Sequence, residues 1–231
     1  MLPKIETPTF SIAIPSIKKK IKFRPFLVKE EKILLIAQQG SDNDLLEAIK
    51  QIVNNCCLGD LNVSTLASFD LEYIFLKLRA KSVNNLVELK YRDNEDDSIY
   101  TFEVDLDKVE VVFNPIHTNK IKINEHLSLL MKYPSVDLPE QIKNVETEED
   151  VFYHMIMNCI DKLYTDNEIF LINDYSFEDV KEFIDNLSVP TFDKIQEFFN
   201  TMPKLYHKIE YTNKNGTQRL IELGGIKDFF T

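Results

Sequence analysis

The stretch LVELKYRDNEDDSIYTFEVDLDKVEVVF, residues 86–113, marks a change from helical to extended patterning. Apolar and polar residues alternate on both sides of the acidic segment 93–97. Alternation with a period of two is typical of a half-buried strand, because successive side chains point to opposite faces of a sheet. The stretch therefore predicts an antiparallel hairpin with a charged, solvated loop.

Two further hairpins are predicted near the ends of the sequence. Residues 10–24 alternate around a Pro-Ser turn, and this places several basic side chains on the exposed face of a strand. Residues 207–223 form two alternating runs around Asn215 and Gly216, a dipeptide that favours tight hairpin turns. The alternating segments thus occur near the amino terminus, in the middle and near the carboxyl terminus.

Between the hairpins, apolar residues recur at helical spacing behind capping residues. Helices are expected over segments 28–38, 41–56, 68–82, 124–131, 147–163, 176–187 and 190–202. The first of these is apolar almost all round from Ile33 to Ala37, and we expect it to be central to the core. We also expect Thr147 to cap the helix that follows it.

These elements predict an α+β protein that is predominantly helical, with small antiparallel β-hairpins near the N-terminus, middle and C-terminus. The domain organisation expected is an amino-terminal unit at 1–113, a linker-like segment with a short helix at 114–146, and a carboxyl-terminal helical unit with a hairpin at 147–231. One continuous domain is the alternative, since 231 residues suffice for a single large core.

The overall charge disfavours two classes of partner. The formal net charge is -11, and an acidic surface repels the phosphate backbone of nucleic acids. The sequence has no apolar run long enough to span a membrane and no secretory leader pattern at its start, so we expect no membrane partner and a place in the cytoplasm of the cell that makes it.

The basic segment 18–24 runs against this overall charge and leaves an alternative open. A nucleic-acid-binding strand is one interpretation of its lysines and Arg24. The favoured interpretation is a solvated strand face or a docking surface for an acidic protein, because Phe23 lies on the apolar side and Glu30 and Glu31 follow closely.

Catalytic and metal-binding patterns are weak. The four histidines and three cysteines form neither C-x-x-C nor H-E-x-x-H, and no glycine-rich phosphate loop occurs, so no metal and no cofactor are expected. Segment 93–97 lacks the glycine and glutamate of a calcium loop. Cys159 and His154 are poorly placed for a nucleophile and base on one helix. We expect no enzyme; a small hydrolase or lyase using Cys159 or an acidic cluster is the alternative.

Several phrases taken together resemble one family, the baseplate hub subunit and hub assembly proteins of T-even-like contractile-tailed bacteriophages. The phrases are FRPFLVKEEKILLIA (23–37), FDLEYIFLKLRAKSV (69–83), MKYPS (131–135), FFNTMPKL (198–205) and LGGIKDFF (223–230). The resemblance implies a non-enzymatic late protein that helps to assemble the central hub, either as a component or as an assembly chaperone. It implies other hub or tail assembly proteins as partners, and a place in the host cytoplasm during assembly or in the virion baseplate.

Residues within these phrases that lie at element boundaries are our candidates for partner binding. They are Arg24, Phe26, Lys29, Met202, Pro203, Lys204, Phe229 and Phe230. Their location at boundaries rather than in helix interiors is the reason for choosing them. The alternative, that they are core and turn residues that fix the fold, is left open by the sequence.

Overall fold

The balance of helix and strand differs from the expectation. The computed structural model describes residues 5–229, and it is 40% helical and 28% strand. Within these residues the strands form four antiparallel sheets. The prediction of a predominantly helical protein is therefore wrong, and the chain is a mixed α+β protein with substantial sheet. The difference arises because two segments expected to be helical form strands, and because the strands Lys120–Lys122 and Ile169–Leu171 form in segments for which no regular element was expected.

The amino-terminal elements include two of the three predicted hairpins. In chain order they are β1 (Phe10–Ala13), β2 (Lys20–Phe23), α1 (Val28–Ala37), α2 (Asp42–Cys56), β3 (Cys57–Leu58), α3 (Ser68–Ser82), β4 (Leu86–Arg92), β5 (Ile99–Asp105) and β6 (Glu110–Val112). Strand β2 lies between β1 and β3, and Phe10 is opposite Phe23. Strands β4 and β5 pair along their whole length, from Leu86 opposite Asp105 to Arg92 opposite Ile99.

The middle of the chain contains the unexpected sheet. Its elements are β7 (Lys120–Lys122), β8 (Leu127–Met131), α4 (Leu138–Gln141), α5 (Glu148–Cys159), β9 (Ile160–Thr165), β10 (Ile169–Leu171), α6 (Phe177–Asp185) and α7 (Val189–Asn200). The strand order is β10, β9, β8, β7. The short helix predicted at 124–131 is wrong, because β8 occupies that segment. The predicted cap is confirmed, since the Thr147 hydroxyl accepts the Asp150 amide at 3.0 Å.

Helix α5 ends earlier than its apolar face suggested. Ile160 and Leu163 continue the helical spacing, yet both belong to β9, where they are buried. A spacing of three does not fit the period of two of a regular strand, but the register of β9 against β8 shifts at Asp161, which acts as an extra residue and lets both side chains be buried. Pairing with β8 on one side and β10 on the other supplies the backbone hydrogen bonds of β9.

The carboxyl-terminal strands are β11 (Lys204–Thr212) and β12 (Gln218–Gly224). They form the predicted hairpin, and Gly216 adopts the positive φ of 83° that its turn requires. Strand β11 also pairs with β6, with Lys204 opposite Val112. The last strands of the chain thus complete a sheet that begins before residue 113.

The chain divides into two compact units. The first unit comprises residues up to Val112 and those from Lys204 onward, and the second comprises Phe113–Pro203. This grouping puts the terminal hairpin with the first unit, whereas the sequence analysis placed it with segment 147–203. Whether the expected boundaries near 113 and 147 separate independently folding domains stays a prediction.

Each unit has its own core. In the second unit, thirteen buried side chains from both the sheet and the helices form one cluster: Ile121, Leu129, Met131, Leu138, Ile156, Cys159, Ile160, Leu163, Ile172, Val180, Ile184, Ile195 and Phe198. In the first unit, α3 is the central element, because nine of its fifteen residues are buried. Helix α1 is not central as expected, since Leu35 and Ile36 are exposed.

Lys77 ties α3 to the segment before β6. Its side chain is 11% exposed, and the ammonium donates to the carbonyl oxygens of Leu106, Asp107 and Val109 at 3.2, 2.6 and 2.7 Å. The Glu110 carboxylate lies 3.1 Å away. One turn before and one turn after Lys77 on the same helix face, Tyr73 donates to Glu110 and Lys81 pairs with Asp107. Segment 106–110 is therefore held along one side of α3.

We predict that Lys77→Met lowers the free energy of unfolding by about 1–3 kcal/mol, because buried carbonyl oxygens lose their donor. Lys81→Met is the matched control on the same helix face. Its ion pair with Asp107 is more exposed, at 37% for both side chains, so the change costs about 0–1 kcal/mol. Urea denaturation of both variants measures the difference, and equal losses would contradict the assigned role of Lys77.

Candidate interaction surface

The basic segment forms one exposed face of the amino-terminal sheet. In β2, Ile21 and Phe23 are buried, whereas Lys20 and Lys22 are exposed on the opposite face. The alternation predicted from the sequence is confirmed. These lysines therefore project from a rigid strand that has a partner strand on each side.

Arg24 is engaged within the chain rather than available to a partner. Its Nη2 donates to Glu30 Oε1 at 2.9 Å and to the Asn55 carbonyl at 3.1 Å. The Glu30 carboxylate, which is fully buried, also accepts the Leu27 amide at the start of α1. Burial favours a higher pKa for Glu30, but the hydrogen bonds from Arg24 and Leu27 outweigh it and hold the pKa below its usual value. Arg24 therefore fixes the start of α1.

The other candidate partner-binding residues fall into three groups. Phe26, Pro203 and Phe229 are buried, and Met202 is half-buried against the core of the second unit. Lys29 and Lys204 are exposed, although Lys29 Nζ lies 3.4 Å from Glu30 and so meets Arg24 at the same carboxylate. Phe230 lies outside the described residues. Partner binding by these residues stays a prediction, and the exposed lysines are the ones that a partner can reach.

The acidic segment of the central hairpin docks on the terminal hairpin. Asp93 is fully buried, accepts the Tyr211 hydroxyl at 2.5 Å and pairs with Arg219 at 3.1 Å. The Arg219 guanidinium also donates to Asn94 at 2.6 Å. The sequence analysis took this loop to be solvated, and the structure corrects that interpretation because its first carboxylate is enclosed by β11 and β12.

The next two carboxylates of the loop are also satisfied by the terminal hairpin. Glu95 accepts from Asn213 and Thr217, both at 2.9 Å. Asp96 accepts the Lys214 amide at 3.0 Å and the Tyr100 hydroxyl at 2.5 Å. Within the described residues, no group of three or more acidic, histidine or cysteine side chains is arranged to hold a metal ion. The acidic loop thus joins the tips of the central and terminal hairpins through hydrogen bonds and ion pairs, and we call this set of contacts the lock.

Two carboxyl groups in this lock have lowered pKa values. The Tyr211 hydroxyl is the main cause of the lowered pKa of Asp93, and Arg219 adds to it. Burial favours a higher pKa for Asp96, but its hydrogen bonds with Tyr100, Ser98 and Lys214 lower the pKa to about 2. Burial and Asp93 together raise the pKa of Tyr211 to about 12. The lock therefore favours the charged forms of Asp93 and Asp96 and the neutral form of Tyr211.

Cys159 and His154 do not form a catalytic pair. Burial raises the pKa of the Cys159 thiol to about 12. The His154 ring stacks on Phe177 with ring centroids 4.1 Å apart. In the part of the chain that the structure describes, no hydrogen bond joins the two side chains. The thiol is accordingly a core group of the second unit.

The sequence analysis missed a polar cluster around His117. Its Nδ1 lies 2.9 Å from Thr201 Oγ1, and its Nε2 lies 3.0 Å from the Tyr133 hydroxyl. The ring also packs against Tyr133 and Phe198. Burial lowers the pKa of His117, and hydroxyl groups on both sides hold the ring in place within the second unit. Its partners are 16 and 84 residues away in the sequence, so no local sequence pattern predicts these contacts.

The comparison with protein families covers nearly the whole chain. Residues 7–231 match the model of the family described as T4 bacteriophage base plate protein. The chain belongs to this family. No curated protein and no solved structure matches it. The resemblance to baseplate proteins seen in the sequence phrases is thereby confirmed at the level of the baseplate family.

In this baseplate protein, none of the helices within residues 5–229 is long and apolar enough to cross a bilayer. Lys20 and Lys22 on β2, together with Lys29 and Lys204, are exposed. They are the starting point for assigning contacts to other baseplate proteins.

We predict that the lock makes stability fall in acid. In the unfolded chain Asp93 and Asp96 return to a pKa near 3.8, so the stability that their lowered pKa values supply is complete above that value and is lost as the pH falls toward 2. Between about pH 5 and about pH 2, the thermal midpoint should fall less steeply with decreasing pH in Asp93→Asn/Asp96→Asn than in the wild type. Asp97→Asn, in the same loop but exposed and paired with Arg92, is the control and keeps the wild-type slope. Identical slopes in all three proteins would argue against the lock.

We also predict that the thiols are unreactive in the folded protein. Burial raises the pKa to about 11 for Cys56 and to about 12 for Cys57 and Cys159, so about one thiol in a thousand or fewer is ionised at pH 8. Ellman's reagent should release almost no product from folded protein and three equivalents after unfolding in guanidinium. Rapid labelling of Cys159 in the folded state would reopen the enzyme alternative.

Proposed function

We propose that this protein is a non-enzymatic factor in building the central hub of the baseplate, as a hub component or as an assembly chaperone. The observation that carries the proposal is the match of residues 7–231 to the baseplate family. The phrases that resemble hub subunits and hub assembly proteins lie along the same range, and they point to the hub rather than to another part of the baseplate.

The state of the reactive groups supports a non-enzymatic role. Cys159 has a strongly raised pKa, both nitrogens of His117 are hydrogen-bonded, and the loop carboxylate of Asp93 is enclosed. A catalytic acid, base or nucleophile needs a tuned pKa and access to a substrate. Cys159 is instead buried in a core, and His117 and Asp93 are bound to neighbouring side chains, which agrees with a protein that acts through contacts.

The partners proposed are other hub or tail assembly proteins, in the host cytoplasm during assembly and, for a component that stays, in the virion. Neither nucleic acid nor membrane is proposed as a partner, because the net charge of -11 opposes binding to phosphate-rich surfaces. Exposed Lys29 and Lys204 suit contacts with acidic protein surfaces.

A phage carrying a conditional null allele of this gene tests the proposal. Without the protein, baseplates should lack a complete hub, and the wild-type gene supplied in trans should restore them. Quantitative mass spectrometry of purified virions and of infected-cell lysate then separates the two roles. Stoichiometric presence in virions identifies a component, and presence only in lysate identifies a chaperone. Complete, infective baseplates formed without the protein would refute the proposal.

A further inference from the structure

Helix α1 exposes an apolar stripe on the side that faces away from the core. Val28, Leu35 and Ile36 are 72%, 53% and 73% exposed. At 3.6 residues per turn, they lie with Lys32 within an arc of about 100°. Glu30, Leu34 and Ala37, which are buried, lie on the opposite side. The helix is therefore apolar on two faces, and the fold uses only one of them.

Two further exposed apolar side chains follow the contact between the start of α1 and the end of α3. The Phe26 amide donates to the Ser82 hydroxyl at 2.9 Å, which joins the start of α1 to the end of α3. The residues that follow each partner, Leu27 and Val83, are 43% and 56% exposed. Five large apolar side chains thus occur at or next to α1, a concentration typical of interaction sites and unlike singly scattered apolar residues.

The exposed charged side chains of α1 are positive. Lys29 and Lys32 are exposed, whereas Glu31 is half-buried and the Glu30 carboxylate is buried and paired with Arg24. A symmetric pair of this chain through α1 would bring two such basic rims together, which is unfavourable. The stripe is complementary to an apolar groove that carries carboxylates along its edges.

We propose that the α1 stripe, formed by Val28, Lys32, Leu35 and Ile36, docks into an apolar groove rimmed by Asp or Glu side chains on another baseplate protein. The mode is a helix in a groove, in which apolar residues two turns apart act as anchors. The inference deepens the proposed function and rests on it. It assigns partner binding to the helix rather than to the β2 strand face.

Site-specific photocrosslinking tests the proposal in infected cells. The full-length protein carries p-benzoylphenylalanine at position 36, or at position 189 as the control, because Val189 is equally exposed at 73%. Position 36 should crosslink to a baseplate protein at a peptide rich in Asp or Glu, and Lys29→Glu/Lys32→Glu should lower the yield about tenfold. A product with a second copy, a lipid or a basic peptide overturns the proposal, as does equal yield at position 189 or no product at position 36.

Complementation of the null allele gives an independent readout. Ile36→Asp should leave the thermal midpoint of the purified protein nearly unchanged, because the side chain is exposed, yet lower the number of complete baseplates about tenfold or more. Val189→Asp should complement fully. If the null phage is defective and Ile36→Asp complements fully, docking through α1 is refuted and the hub function stands. If the null phage is not defective, the hub function itself is refuted.

Discussion

The ammonium of Lys77 is the constraint on which the rest of the first unit depends. A charged group with little access to water is costly unless its donors are matched, and here three carbonyl oxygens and the Glu110 carboxylate match them. The three carbonyl oxygens belong to the short segment between β5 and β6, and Glu110 is the first residue of β6. Because β6 begins at Glu110 and pairs with β11, the position of this segment also sets the edge to which the terminal hairpin adds.

Other polar side chains on α3 also hold neighbouring segments in place by hydrogen bonds. Asp70 accepts the amide and hydroxyl of Ser16 in the first hairpin turn, and Glu72 accepts the Ile226 amide after the last strand. Ser82 receives the amide of Phe26 before α1. An apolar helix alone packs in several registers at similar energy, whereas buried hydrogen bonds select one. The first hairpin, α1, the central segment and the chain end therefore have fixed positions on one helix.

Local patterns predicted the three hairpins well, because strand alternation and the Asn215-Gly216 turn depend only on neighbouring residues. They failed at β9, where a register shift at Asp161 lets Ile160 and Leu163 keep a helical spacing of three inside a strand. Local patterns could not predict the hydrogen bond between Asp93 and Tyr211, because 118 residues separate the two in the sequence. Of the candidate site, the sequence predicted the exposed lysines of β2 but treated the exposed face of α1 as core, because apolar content alone does not tell which face is covered.

The pairing of β6 with β11 also has a consequence for biosynthesis. The whole second unit is synthesised between these two strands, since it spans Phe113–Pro203. At bacterial elongation rates that takes roughly 5–20 s, a long time on the scale of folding. Throughout that interval the nascent chain has α3 and β6 but no β11, so one sheet edge and the tip of the central hairpin stay unpaired. The order of translation thus means that the first unit cannot close until the second unit has been synthesised.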